Sequence, residues 1–455
     1  MKKSIFLLFA FLSTSIIFGQ SDKEKTQETV TKSKIEGHIY FLADDLLKGR
    51  ETGTPENKIA ASYLANTLRS YGVQPNPKTG NYYQEVHLQK IAPPADVKIA
   101  INGTTIKDYA VLDASAVDFS KGAVYVGYGL EKDYKGKSVD GKVVIIKAGS
   151  PDTKDARAAF GLLDQKKKLA KENNAVGVIE LLNAEAQMWG FIEHNFNAPS
   201  LGIVKEETKK STMPYVWVLD KDNKMSASIA SKTAISIQFT MSDAKKEKVT
   251  SQNVIGVVEG TDPTLKNEYI IYSGHYDHVG IGTPDATGDT IYNGARDNAI
   301  GTTTVLSMAE NLAKYPTKRS ALFILFTGEE KGLLGSSFYV ENPVLPLKQM
   351  VYCFNSDNAG YNDTSLATII GLPRTTAGQH IKDAAIAFGL TAVDDPAPEQ
   401  GLFDRSDNVK FAAKGIPAPT FSLGFTAFNG DVTKYYHRPG AEAQTIDYGY
   451  LFKFF

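Results

Sequence analysis

Ser320-Ala-Leu-Phe-Ile-Leu-Phe326-Thr-Gly-Glu329-Glu330 is the stretch that decides the fold. An uncharged run of strand length ends in a glycine and two adjacent carboxylates. A strand this apolar is buried on both faces, as in a parallel sheet, whereas a half-exposed strand alternates. Neighbouring runs repeat the plan. Glu268-Tyr-Ile-Ile-Tyr-Ser273 leads into Gly274-His275-Tyr276-Asp277-His278, and Gln349 to Phe354 leads into Asn355-Ser356-Asp357. Between the first two lies Arg296-Asp297-Asn298, then a helix to about Lys314 on which Thr304, Val305, Met308, Ala309 and Leu312 keep helical period. Apolar strands alternating with amphipathic helices predict an α/β fold: a doubly wound, mixed but mainly parallel sheet flanked by helices. Ligands in such sheets bind beyond the carboxyl ends of the strands, where these acids and histidines cluster.

Further out, Asn253 to Val258 reads as another strand, as do Leu366 to Ile370 and Ala418 to Ser422, with a helix over Thr376 to Phe388. Upstream, Lys34 to Leu47 reads as a helix, and a second helix beginning near Glu56 carries an apolar stripe that needs a larger body to cover it. Arg50 and Glu51, in the turn between, read as a solvated pair. From about Pro93 to Lys246 the texture changes to short β-rich runs, with one helix over Asp155 to Glu172 whose Lys166-Lys-Lys168 reads as a solvated face. The predicted organisation is therefore residues 34–95 and 247–455 forming a catalytic domain, with 96–246 inserted as a smaller β-rich α/β domain without chemistry of its own.

Residues 1–19 read as an export signal: Lys2-Lys3, an apolar run from Ile5 to Phe18, and a small residue at Gly19. No cysteine follows, which argues against a lipoprotein, and the run is too short to span a bilayer. The expectation is an exported protein, periplasmic or extracellular and without a membrane anchor, with 20–33 a flexible leader. Fifty basic residues balance 51 acidic ones, giving a formal charge of −1, so no nucleic-acid partner is expected. Cys353 is alone and cannot form an internal disulfide.

The chemistry lies in the residue types. His275 directly follows a strand, and Asp277, two residues on, lies on the same side, where it can buttress the site. His278 reads as a loop residue or an outer support. Asp297 precedes a helix, so it is either a cap or a ligand. Glu329 and Glu330 repel each other unless something positive stands nearby. A metal supplies that charge, leaving one carboxylate to bind it and the other to work on a water molecule. Asp357 and His437 complete a set of two histidines and three carboxylates suited to two Zn²⁺ sharing one carboxylate.

Gly274-His275-Tyr-Asp277-His278-Val-Gly280, Ala295-Arg-Asp297-Asn298-Ala-Ile-Gly301, Phe326-Thr-Gly-Glu329-Glu330-Lys-Gly-Leu-Leu-Gly335-Ser336 and Asn355-Ser-Asp357 resemble the M28 family of metallopeptidases in order and spacing. The inserted region resembles a protease-associated (PA) domain. The resemblance implies a zinc-exopeptidase fold with two Zn²⁺ per chain. His275 and Asp357 would hold one zinc, Glu330 and His437 the other, and Asp297 would bridge, followed by a cis peptide to Asn298. It implies Glu329 as general base, Asp277 as the carboxylate behind the ligands, and a peptide with a free N-terminus as substrate. The sequence departs from the family at Asn408, where Arg405-Ser406-Asp407 is usually followed by histidine, and at Gly440-Ala-Glu442, where an aspartate usually follows His437. Rival readings are a carboxypeptidase or dipeptidase for acidic peptides, using Arg374, Arg405 or Arg438; a glutaminyl cyclase; and a binding protein that has lost catalysis.

Overall fold

The structure is a computed structural model that describes residues 20–153, 156–204 and 213–455. The export signal expected over 1–19 lies outside the described residues. The chain divides into two units: one comprises the chain as far as Val86 together with Ser251–Phe455, and the other is His87–Thr250.

In the first unit, Ser320–Phe326 is a central strand with all seven residues buried. Tyr269–His275 pairs with it in parallel, bringing His275 level with Phe326. Met350–Ser356 lies parallel on the other side of Tyr269–His275, and Thr420–Leu423 continues the parallel order. The sheet turns antiparallel at both flanks: Val254 to Val258 runs against Ser320–Phe326, and Leu366–Ile370 against Thr420–Leu423. Apolar clusters pack on its two faces, one including Phe323, Leu325, Val305 and Leu306, the other including Leu322, Ile324, Phe326 and Tyr339. Burying such a side chain contributes about 1.5–3 kcal/mol, so the run from Ser320 anchors both layers at once. Cys353 is fully buried among them, and burial pushes its thiol up to about 12.

The leader expected to be flexible is helical over Asp22–Thr29. Ser21 caps it, with Glu24 closing a capping box. Asn311 donates to the Lys25 carbonyl at 3.1 Å, which holds this helix on Gly301–Lys314. The following helix, Lys32–Leu42, packs His38 between Tyr63 and Tyr71, whose hydroxyls lie 2.7 and 2.9 Å from its two ring nitrogens. Burial and the charge of Lys34 pull His38 down to about 4. The unfolded chain therefore binds the extra proton between pH 6.5 and 4. Stability is full above pH 6.5 and falls by up to about 3 kcal/mol as pH drops to 4. His38→Gln is expected to lose this part of the slope. Denaturant melts of both proteins at pH 7 and pH 4 check it: an unchanged difference between the two pH values refutes the assignment.

In the second unit, Gly122–Tyr125, Val143–Lys147, Gly177–Leu182 and Tyr215–Leu219 form a parallel core. Antiparallel strands, among them Tyr109–Asp113 and Ile235–Met241, flank it. The helix expected over 155–172 is broken into Ala156–Gly161 and Leu163–Glu172. Its basic run is not a solvated face throughout. Lys166 is fully buried and pairs with Glu180 at 2.5 Å, whose other oxygen accepts from Tyr215 Oη and Trp217 Nε1. Lys167 pairs with Asp113, and only Lys168 projects into solvent. An i, i+4 pattern cannot show that a lysine has a buried acid waiting on the next strand. No helix among the described residues is long and apolar enough to cross a membrane.

Candidate metal centre

The parallel strands deliver their carboxyl ends to one edge, and the polar residues that follow them converge there. His275 closes its strand. Its Nδ1 faces the Asp277 carbonyl at 3.2 Å, so Nε2 is turned inward, 3.2 Å from Asp297 Oδ1 and 3.4 Å from Asp357 Oδ1. Asp297 lies in a tight turn, Ala295–Ile300, and its peptide bond to Asn298 is cis. Asn298 donates to the Ser356 carbonyl at 2.8 Å and accepts from Gly301 N at 3.0 Å, which ties the turn to the strand that carries Asp357. The second oxygen of Asp297 lies 3.2 Å from His437 Nε2, so one carboxylate faces both histidines. His437 reaches back from a distant loop with a positive φ of 48°, stacked on Tyr436 at 4.1 Å, and also meets Glu330 Oε2 at 3.1 Å.

Two ligand sets share Asp297. His275, Asp297 and Asp357 form one, and His278, Asp297, Glu330 and His437 the other. His278 is therefore more than a loop residue. It is fully buried and donates from Nδ1 to Glu330 Oε1 at 2.7 Å. Gly294 leaves room for it, because a Cβ there would stand 2.6 Å from its ring.

Asp277 meets its partners across the site and not at His275. Its carboxylate stands 3.7 Å from Nδ1, beyond hydrogen-bond reach. It accepts instead from the amides of Glu329 at 3.2 Å and Glu330 at 3.3 Å, and from Thr52 Oγ1 at 2.8 Å. It thus fixes the turn that aims both glutamates.

Arg50, expected in solvent, is buried beneath the centre. It donates to the carbonyls of Leu42, Tyr276 at 2.8 Å, Asn293 at 2.7 Å and Gly294 at 3.1 Å. Burial lowers it to about 10, against the pull of Asp277, Asp297 and Glu330, so it stays charged at neutral pH. Glu51 pairs with Lys331 at 2.8 Å. Asp407 was also missed as a site residue. It is fully buried with both oxygens unpartnered, and burial together with Asp277 and Asp357 raises it to about 7. Its position in Arg405-Ser406-Asp407 was the available signal. The departures from family pattern sit outside the ligand cluster: Asn408 is buried and donates to the Ala418 carbonyl at 3.2 Å, and Glu442 sees Asp45, Asp289 and Asp44.

The electrostatics ask for cations. Burial raises Glu329 well above the carboxylate range, and Asp357, Glu330 and Asp407 add to this against His275. Burial and Asp297 also act upward on Glu330, yet hydrogen bonds from His278 and His437 hold it at about 2. Burial pulls His437 down, but Asp297 and Glu330 outweigh it and leave it at about 10. In His275 the same contest, against Glu329 and Asp357, ends well above the usual histidine value. Nε2 of both His278 and His437 is buried without a well-directed partner. Imidazole nitrogens and carboxylates aimed at common points suit Zn²⁺, so the residues present fit that metal.

The layers and connections are those of the zinc-exopeptidase fold. Residues 253–454 match Peptidase family M28. Among curated relatives, it is 27% identical over 312 residues to a probable leucine aminopeptidase 2 of Aspergillus oryzae, covering 66% of this chain and 55% of that protein. It is 31% identical over 193 residues to aminopeptidase YwaD of Bacillus subtilis, covering 42% and 39% respectively. The matches thus span about half the length of these relatives or less. An aminopeptidase from Aneurinibacillus sp. strain AM-1 shares the fold with a TM-score of 0.58 at 22% identity, over 94% of this chain and 92% of that one.

Proposed function

We propose that the chain is an exported zinc exopeptidase that removes N-terminal residues from peptides, with two zinc ions per chain. The observation that carries this reading is the Asp297 carboxylate shared between two sets of ligand atoms, with Glu329 beside it and not needed by either set. One zinc is assigned to His275, Asp297 and Asp357, the other to Asp297, Glu330 and His437, with His278 supporting Glu330. Zinc bound here would lower the pKa of water and polarise a carbonyl. Glu329 takes the proton from the attacking water and returns it to the leaving amine. Asp277 holds Glu329 in place through its backbone amide. Asp357 and Glu330 offer negative charge to a substrate's free amine.

Asp297, Glu329 and Asp357 line a pocket whose apolar wall is Ile370, Leu402, Phe425 and Phe428. An apolar side chain next to the scissile bond would meet that wall. Arg405 also lines the pocket, 3.5 Å from Tyr436 Oη, and is the feature that favours a carboxypeptidase. Of the other candidates, Arg374 is spent over the Phe403 ring, 3.9 Å from its centroid.

A panel of free and N-blocked fluorogenic substrates separates the readings. Leucyl and phenylalanyl substrates with free amines should be cleaved at least tenfold faster than alanyl ones, in keeping with about 1–3 kcal/mol for a filled apolar pocket. Blocked substrates should be inert. A chelator should abolish the activity, and zinc should restore it with about two ions per chain by metal analysis. Release of C-terminal residues from blocked peptides overturns the aminopeptidase reading.

A further inference from the structure

His437 arrives from furthest along the chain, and its φ of 48° is a backbone conformation that residues with a side chain rarely adopt. A strained conformation persists only where its surroundings hold it. The residue that does so lies next to Asp297 in sequence. Arg296 is only 5% exposed, yet it forms no ion pair among the described residues. Its guanidinium lies on the Tyr435 ring, 4.0 Å from the centroid, and 5.3 Å from that of Tyr361. Nη1 donates to Thr445 Oγ1 at 2.6 Å and Nη2 to the Thr445 carbonyl at 2.7 Å.

The main chain beside it adds a third attachment, since Ala295 N donates to the Ala441 carbonyl at 3.0 Å. Segment 435–445 is thus gripped at Tyr435, Ala441 and Thr445, and His437 lies between the first two. Tyr361 is tied to the same end of the chain, its hydroxyl accepting from Asp447 N at 2.9 Å. A guanidinium stacks through its faces while donating from its edge, which an ammonium cannot do. Arg296 leaves the Asp297 carboxylate free, with its oxygens facing His275 and His437 at 3.2 Å each.

We propose that Arg296 is a positioning residue for the second ligand set: it clamps segment 435–445 so that His437 Nε2 meets Asp297 and Glu330. The inference rests on the assignment of His437 as a zinc ligand, and adds that a residue outside both ligand sets governs one of the two affinities. Partners that orient a ligand are worth about 10–100-fold in metal affinity.

Zinc affinity of the full-length protein is read by competition with a chelator of known strength, with a melting curve certifying each fold. The parent is expected to hold two zinc ions per chain, and His437→Ala one. Arg296→Met should weaken the second zinc by about 10–100-fold and leave the first unchanged. Adding Arg296→Met to His437→Ala should cost nothing further, because Arg296 acts through that histidine. Tyr435→Leu, at a half-buried position, removes one face of the clamp and should weaken the second zinc by about threefold; it decides the question if Arg296→Met does not fold. Fewer than two zinc ions in the parent, or two in His437→Ala, overturns the ligand assignment and this inference with it. If His437→Ala loses one zinc as expected, the inference alone is overturned by an unchanged second zinc in folded Arg296→Met or in Tyr435→Leu, by equal weakening of both ions, or by a further loss in the double variant.

Discussion

Glu329→Gln is expected to lower kcat by about 10²–10⁴-fold while leaving two zinc ions per chain. Glutamine has the same shape, keeps the backbone amide on Asp277 and stays in the pocket wall, but it cannot take a proton. The geometry makes this a sharp test, because Glu329 also lies within ligand reach of His275 and Glu330. A zinc ion held by Glu329 would leave the site with the substitution. Glu330→Gln is the counterpart. It removes the acceptor of His278 Nδ1 and one oxygen facing His437, so it should cost both activity and one zinc. Metal analysis beside single-turnover rates reads the two effects separately. If Glu329→Gln loses zinc and Glu330→Gln keeps it, the two glutamates have been assigned in the wrong order.

The strand Ser320–Phe326 was legible because burial on both faces writes itself into sequence as an unbroken apolar run. Each proposed ligand that follows such a run, His275, Glu330 and Asp357, could be found by looking just past its end. His437 could not be found that way. It sits in a loop with left-handed backbone, and only the family pattern singled it out. The partners of Asp277 were hidden for a related reason. Spacing of two placed it beside His275, but its hydrogen bonds go across to the next strand's loop, and cross-strand partners leave no trace in local spacing. Lys166 follows the same rule, its acid lying on a neighbouring strand.

Arg50 is the largest such miss, and it carries the second large prediction. Charge and a neighbouring glycine made it look like a solvated turn, yet its guanidinium meets four carbonyls on three separate backbone segments at once. Arg50→Met fills part of the volume but leaves the carbonyls of Leu42, Tyr276 and Asn293 buried without their donor, and that of Gly294 with only the Ala299 amide. It also removes the fixed positive charge that faces Asp277, Asp297 and Glu330. An unpaired buried carbonyl costs about 1–3 kcal/mol, and breaking a buried charged network about 3–5 kcal/mol. The metal-free variant should therefore lose at least about 4 kcal/mol in denaturant unfolding, close to the whole stability of many domains. Arg50→Lys should recover little, since one ammonium cannot span four carbonyls. Zinc should rescue part of the loss, because bound cations offset the carboxylates that Arg50 no longer faces, though they cannot replace the backbone donors. A variant within about 1 kcal/mol of the parent, or one fully rescued by zinc, would show that Arg50 acts only as a counter-charge and that the four carbonyls find other partners.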